Sequence, residues 1–314
     1  MRTILCSVLL LTILIFSCNK RYDLITNESN DHLLITLKQI NSKYYNSKSA
    51  EKHTRQLGTF YGLMTDIFTG CGAASLTAAS GPGAVAFGVA VGTYFSSMCR
   101  ANGNFTTDDP CQNQTVQYLY DGTPAYDILI GQTYWDIYTN TEYQFQYANN
   151  FDDCGIFHNL VIKQGECTTI FQNGNAAMYD SIVQLITLLD NSVPSLNLSD
   201  TFLIVYRSTV LSIAEDFESL NPTDSNYRAN LTSLLQTAGL YGNNRVYTIL
   251  NTYIDGIEGI GMSEYQNFSD YHKDFVIAIQ NSTQLTTDQK NAIYSILALG
   301  KFSYFFWSYA SQNN

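Results

Sequence analysis

The sequence predicts a mainly α protein, a multi-helix bundle holding a small-residue (Gly/Ala) helical hairpin. Three observations lead there. Large apolar residues recur at spacings of three and four through most of the chain. All five prolines (82, 110, 124, 194 and 222) fall between those runs, where they separate helices rather than kink them. Residues 67–99 read IFTGCGAASLTAASGPGAVAFGVAVGTYFSSMC, with no charge between Asp66 and Arg100.

Within that stretch small residues keep a register of four on both sides of the break Ser80-Gly81-Pro82-Gly83. Gly58, Gly62, Gly70, Ala74 and Ala78 precede it; Ala84, Gly88, Gly92 and Ser96 follow. Such spacing lines one helix face with small side chains, so a second backbone can approach closely. Each arm has about 15 apolar residues, short of the roughly 20 that span a bilayer. The hairpin is therefore expected as buried core. Insertion into a membrane, as in bacteriocin-like or other toxin-related proteins, is the alternative.

The chain opens MRTILCSVLLLTILIFSC: one positive charge, an apolar run of about a dozen residues, then a small residue before a cysteine. This predicts a signal peptide over 1–17. Ile15-Phe16-Ser17-Cys18 resembles the lipobox of bacterial lipoproteins, which implies lipid attachment at Cys18. No acidic run follows Cys18, which leans the placement toward the periplasmic face. Residues 18–29 read as a lipid-anchored tether.

Composition narrows the partners. Charged residues are 14% of the 314, apolar ones 45%, and the net charge is −11. A low charge content with many apolar residues argues against disorder. No basic stripe appears, so nucleic acid is excluded as an expected partner. The expected partners are the membrane, through lipidated Cys18, and an envelope protein or peptide.

In order, residues 30–110 are read as N-terminal helices with the hairpin. Leu33, Leu34, Leu37 and Ile40 form one face of a first helix. Ser49 is the expected N-cap of a second, carrying Leu57, Phe60, Tyr61, Met64 and Ile67. Residues 111–149 form a Tyr-rich connecting region. There a helix at 125–138 competes with short strands around 115–148, where Tyr118/Tyr120 and Tyr143/Phe145/Tyr147 alternate.

Residues 150–314 are read as a C-terminal helical domain, and whether it shares a core with the N-terminal helices is left open. Asp152 and Asp153 suit the first turn of a helix to Lys163. Helices at 176–189 and from Ser199 or Asp200 follow, the latter with Val210, Ile213 and Phe217 inward. Asp224 is the expected cap of a helix bearing Leu231, Leu234 and Leu235. Further helices are expected at 243–253 and 263–280. Thr286 or Thr287 caps a final helix to about Ala310, apolar on most sides and hence central.

Motifs that carry chemistry are scarce. Gly81-Pro82-Gly83-Ala84-Val85-Ala86 fits GxGxxA, but it lacks the preceding strand and the following acid of a dinucleotide loop. No P-loop, GxSxG, HExxH or CxxC occurs, so neither cofactor nor metal is expected. His32 and His53 are placed on the surface, and His272, within Asp270-Tyr271-His272-Lys273-Asp274, on a solvated helix face. His158 stands out because Cys154 lies four residues before it and Asn159 directly follows. A Cys–His pair at that spacing suits a thiolate nucleophile or half a zinc site. The competing reading is a core histidine hydrogen-bonded within the fold. With Cys18 taken by lipid, Cys71, Cys99, Cys111, Cys154 and Cys167 remain. Cys99–Cys111 and Cys154–Cys167 are the closest pairs, Cys71 is the expected free thiol, and the pairing is left open.

The segment Asp152-Asp153-x-Gly155-x-x-His158-Asn159, together with Ser303-x-x-x-Trp307 in the last helix, resembles a group of uncharacterised Bacteroidota lipoproteins. Those proteins share a G-x-x-H-N helix start, a terminal S-x-x-x-W and often a Gly/Ala-rich zipper segment. The match covers residues 150–308. It implies an exported helical protein and carries no known activity. The expected function is thus a lipid-anchored envelope protein with a binding or structural role. A membrane-active hairpin and an enzyme built on His158 are the alternatives.

Overall fold

The computed structural model describes residues 31–45, 60, 62–70, 91–95, 98, 155, 158–159, 176–183, 207–221, 224, 226–239, 244–262 and 265–312. Of these, 88% are helical and none lies in a strand, so the mainly α, multi-helix prediction holds. The Tyr-rich region 111–149, the hairpin turn at 80–83 and all seven cysteines fall outside the described residues.

The first helix, α1 (His32–Tyr44), forms where its apolar register predicts. Asp31 is its N-cap and accepts from the amides of Leu33 and Leu34 at 3.1 and 3.3 Å. Leu33, Leu34 and Leu37 are buried. The helical segments α2 (62–70) and α3 (91–95) are buried at every position, and α4 (176–183) is packed against α3 through Tyr94 and Tyr179, edge to face at 5.4 Å.

Then come α5 (Arg207–Glu218), α6 (Tyr227–Thr237), α7 (Asn244–Ile260), α8 (Tyr265–Asn281) and α9 (Thr287–Gln312). Two ends depart from the sequence reading, and the start of the last helix agrees with it. Asp224 does not cap α6; the cap position is Asn226, and Asp224 instead accepts from the Asn226 amide at 2.8 Å in an Asx turn. Helix α7 runs past Tyr253 to Ile260, because Gly256 stays helical beneath the ring of Tyr271, which occupies the space of a β-carbon. It stops at Gly261, whose φ of 88° is the left-handed conformation that closes a helix. Helix α9 starts with a capping box: Thr286 Oγ1 accepts from the Gln289 amide at 3.2 Å, and Gln289 Oε1 accepts from the Thr286 amide at 3.0 Å.

One core joins the two ends of the chain. Leu33, Ile67, Tyr94, Phe217, Tyr253, Phe275 and Trp307 all belong to the same buried cluster. Helix α1 packs on both α7 and α8. Asn41 Nδ2 donates to the Thr252 carbonyl at 2.7 Å, Arg245 pairs with Asp31 at 2.9 Å, and Lys43 pairs with Asp274 at 2.7 Å. The N-terminal helices are thus fastened to the C-terminal ones along the whole of α1.

Helix α2 sits at the centre. Thr65 shares a hydrogen bond of 2.8 Å with Tyr227 of α6, Phe68 packs against Tyr247 of α7 at 5.2 Å, and Ile67 fits against Gly300 of α9. Helices α2 and α3 approach closely at one crossing. A β-carbon on Gly92 would stand 3.3 Å from the Asp66 carbonyl oxygen and 3.7 Å from the Gly70 Cα. Of the small-residue register, Gly62, Gly70 and Gly92 are described. Gly58, Ala74, Ala78, Ala84, Gly88 and Ser96 lie outside the described residues.

A candidate site centred on buried Asp66

Aspartate 66 lies in the middle of α2 with no exposed surface. A bare carboxylate there would be costly, because burial strips its water and offers nothing in return. The fold supplies donors from far along the chain. Trp307 Nε1 donates to Asp66 Oδ2 at 2.8 Å, and the Ser303 hydroxyl donates to the same oxygen. Both come from α9, where residues four apart share a face. The other oxygen, Oδ1, faces His158 Nε2 at 3.4 Å, with both side chains fully buried.

His158 is held in turn by its neighbour. Its Nδ1 lies 3.0 Å from Asn159 Oδ1, and Asn159 Nδ2 donates to the Phe302 carbonyl at 2.9 Å. Positions 155, 158 and 159 are helical, and Gly155 is where this helix meets α9. A β-carbon there would press into the Phe302 side chain and stand 2.5 Å from the Ala298 carbonyl oxygen. Gly62 does the same a turn before Asp66: its β-carbon would lie 2.5 Å from Trp307 Cε2. Gly62 and Gly155 thus let α9 close on the helices that carry Asp66 and His158, and Gly92 lets α3 close on the Asp66 backbone.

Of the residues notable in the sequence for their spacing, His158, Ser303 and Trp307 meet at Asp66, while Gly155 and Asn159 set their helix against α9. In the sequence Asp66 stands out only as a charge at the edge of the small-residue stretch. Its signal was the pattern Gly62-x-x-x-Asp66-x-x-x-Gly70, a lone acid between two glycines on the close-packed face.

Cys154, the expected partner of His158, lies outside the described residues, as does Cys18. Among the described residues no group of three or more His, Cys, Asp or Glu is arranged to hold a metal ion. What the arrangement does is hold a buried carboxyl group in place through donors from α9.

His272 corrects the sequence reading. It is fully buried, not on a solvated face. On α8 it stands four residues after Phe268 and four before Val276, both buried, so it belongs to the inner stripe. Its Nδ1 is 2.9 Å from the Tyr253 hydroxyl. Burial, helped by the nearby charge of Lys301, holds its pKa well below the usual value, so the ring is neutral. His32 is exposed, as expected.

Comparison with protein-family models, with curated proteins and with solved structures finds no match. The reading of this site therefore rests on its own chemistry.

Proposed function

We propose that the chain is an exported lipoprotein, anchored through Cys18, with a non-catalytic binding or structural role in the cell envelope. The observation that carries the reading is the N-terminal stretch, an apolar run ending in Ile15-Phe16-Ser17-Cys18. Acyl chains on one cysteine would hold the protein at a membrane, since each buried CH₂ contributes about 0.8 kcal/mol. A lipid anchor also fits the folded region, where no described helix is long and apolar enough to cross a membrane.

The Asp66 network supports a structural use of His158. A general base or nucleophile must reach its substrate, whereas His158 and Asp66 have no exposed surface. Asp66 Oδ2 accepts from Ser303 and Trp307, and His158 Nδ1 pairs with Asn159. The expected partner is an envelope protein or peptide.

Metabolic labelling with a clickable palmitate analogue tests the anchor. The wild type is expected to take up label and fractionate with membranes, and Cys18→Ala to do neither. Label retained by Cys18→Ala, or none in the wild type, would reject the lipoprotein reading. Crosslinking in the intact envelope, followed by recovery of the full chain, identifies what it contacts.

A further inference from the structure

Among the described residues two large apolar side chains are exposed, Ile35 at 38% and Tyr45 at 62%. Ile35 lies in α1, and Tyr45 is its C-cap. Single exposed apolar residues are ordinary on a protein surface, but these two stand in one row. Ile35, Lys38 and Ser42 follow each other at spacings of three and four, all exposed, and Tyr45 extends the row. The opposite face carries Leu33, Leu34 and Leu37, which are buried where the helix packs on α7 and α8. The row is therefore held outward, along a helix about 20 Å long.

Charge sets α1 apart from its neighbours. Its charged residues are Lys38 and Lys43, with no Asp or Glu between His32 and Tyr44. Helices α5, α7, α8 and α9 all carry acids, for example Glu215, Asp255, Asp270 and Asp288. Helix α6 has no acid, but it has no exposed large apolar side chain either. In a chain of net charge −11, α1 thus brings cations and exposed apolar groups together. Asp274 of α8, beside the end of α1, is held by Lys43 and Tyr44 at 2.7 and 2.8 Å. The ring of Tyr45 rests by Gly259 of α7 yet stays largely exposed. Such amphipathic rings gather where membrane meets water.

We propose that the outer face of α1 lies against the surface of the bilayer that holds the acyl anchor. The inference rests on acylation of Cys18, and it adds which side of the fold the anchor turns to the membrane. Helix α1 is the described helix closest in sequence to Cys18, starting at His32. An extended chain from Cys18 to His32 spans at most about 50 Å, so α1 stays within reach of the lipid surface. Its start is also fixed to the fold. Asp31 pairs with Arg245 of α7 at 2.9 Å, and Gln284 Oε1 accepts from the Leu33 amide at 3.1 Å. With the helix axis along the bilayer plane, Ile35 and Tyr45 enter the headgroup layer near its two ends. Lys38, between them, brings its ammonium to the headgroup phosphates.

The test places a photo-crosslinking benzoylphenylalanine in the full chain in place of Ile35, of Tyr45 or, as a control, of Ser212 on α5. All three positions are exposed, so the fold tolerates the probe. Cells making each variant are irradiated, and tryptic peptides are read by mass spectrometry. Position 35 falls in the peptide 22–38, which lacks Cys18, so the anchor's own acyl groups do not enter the readout. Lipid adducts are expected at positions 35 and 45 and absent at 212. No lipid adduct at 35 and 45 in protein acylated at Cys18 would overturn the proposal and leave the anchor standing. Equal lipid adducts at 212, or adducts with protein in place of lipid at 35 and 45, would overturn it as well. An unmodified Cys18 would reject the anchor, and this inference with it.

Discussion

Trp307 donates its indole hydrogen to the carboxylate of Asp66 across 241 positions of sequence, with both side chains fully buried. This contact ties the second helix to the last and gives a polar specification to an otherwise apolar core. A hydrogen bond to a buried charge contributes about 1.5–3 kcal/mol, and a lost donor leaves the carboxylate short of partners. Trp307→Phe keeps most of the ring volume and removes the donor. It is expected to lower stability by at least about 2 kcal/mol, read from the midpoint and slope of urea unfolding. A change under about 0.5 kcal/mol would mean that the indole serves only as bulk.

The glycines around Asp66 make a steric prediction. Gly62→Ala would drive a methyl group into the Trp307 ring, and Gly155→Ala would press on backbone that cannot rotate away. Each should destabilise by about 1–3 kcal/mol, with Gly155→Ala the costlier. Gly239→Ala is the contrast. Its β-carbon meets nothing within 4 Å, but its φ of +70° carries a strain of about 1–2 kcal/mol. Equal stability of Gly155→Ala and wild type would place α9 farther from that helix than described.

His272 predicts a loss of stability in mild acid. Its folded pKa is depressed by burial and then by Lys301. The unfolded chain therefore takes up the proton first. The contribution is complete above the unfolded value of about 6.5 and is lost as pH falls from there toward the folded value. Comparing His272→Gln with wild type across pH 4.5–8 should show the wild type losing more stability over the acidic half. Parallel curves would remove the neutral, buried histidine from the account.

The clamp at the end of α1 has a different window. Burial pushes the Asp274 carboxyl up, but hydrogen bonds from Lys43 and Tyr44 outweigh it and leave the pKa below the usual carboxylate value. Its contribution is present above about pH 4 and is lost as pH falls through the lower folded value. Hydrogen exchange of the α1 amides is the sensitive readout. Asp274→Asn should raise α1 exchange at neutral pH and leave α9 exchange unchanged.

Much of this architecture was legible because it is local. Leu33, Leu34 and Leu37 mark the buried face of α1 without reference to the rest of the chain, and the lack of a polar side on α9 marks it as central. Thr286 and Gln289 announce a helix start by their spacing. His158 and Asn159 stood out as unusual neighbours, and Ser303 and Trp307 as a spaced pair, but nothing local joins them to Asp66. The contacts span 92 to 241 positions, and a hydrogen bond of that reach leaves no periodic trace. His272 is hidden for a related reason: the charges beside it at Asp270, Lys273 and Asp274 mask its register with buried Phe268 and Val276. The end of α7 is not local either, because a glycine that breaks a solvent-facing helix is tolerated where Tyr271 fills its space.

The central claim, that Asp66 is the anchor of a buried structural network, is tested most directly by a double-mutant cycle between Asp66→Ala and Trp307→Phe, with stability read by urea unfolding. If the indole acts through the carboxylate, Trp307→Phe should cost at least about 1 kcal/mol less in the Asp66→Ala background than in wild type. Strictly additive costs would contradict the claim and reduce the convergence of Trp307 on Asp66 to coincidental packing.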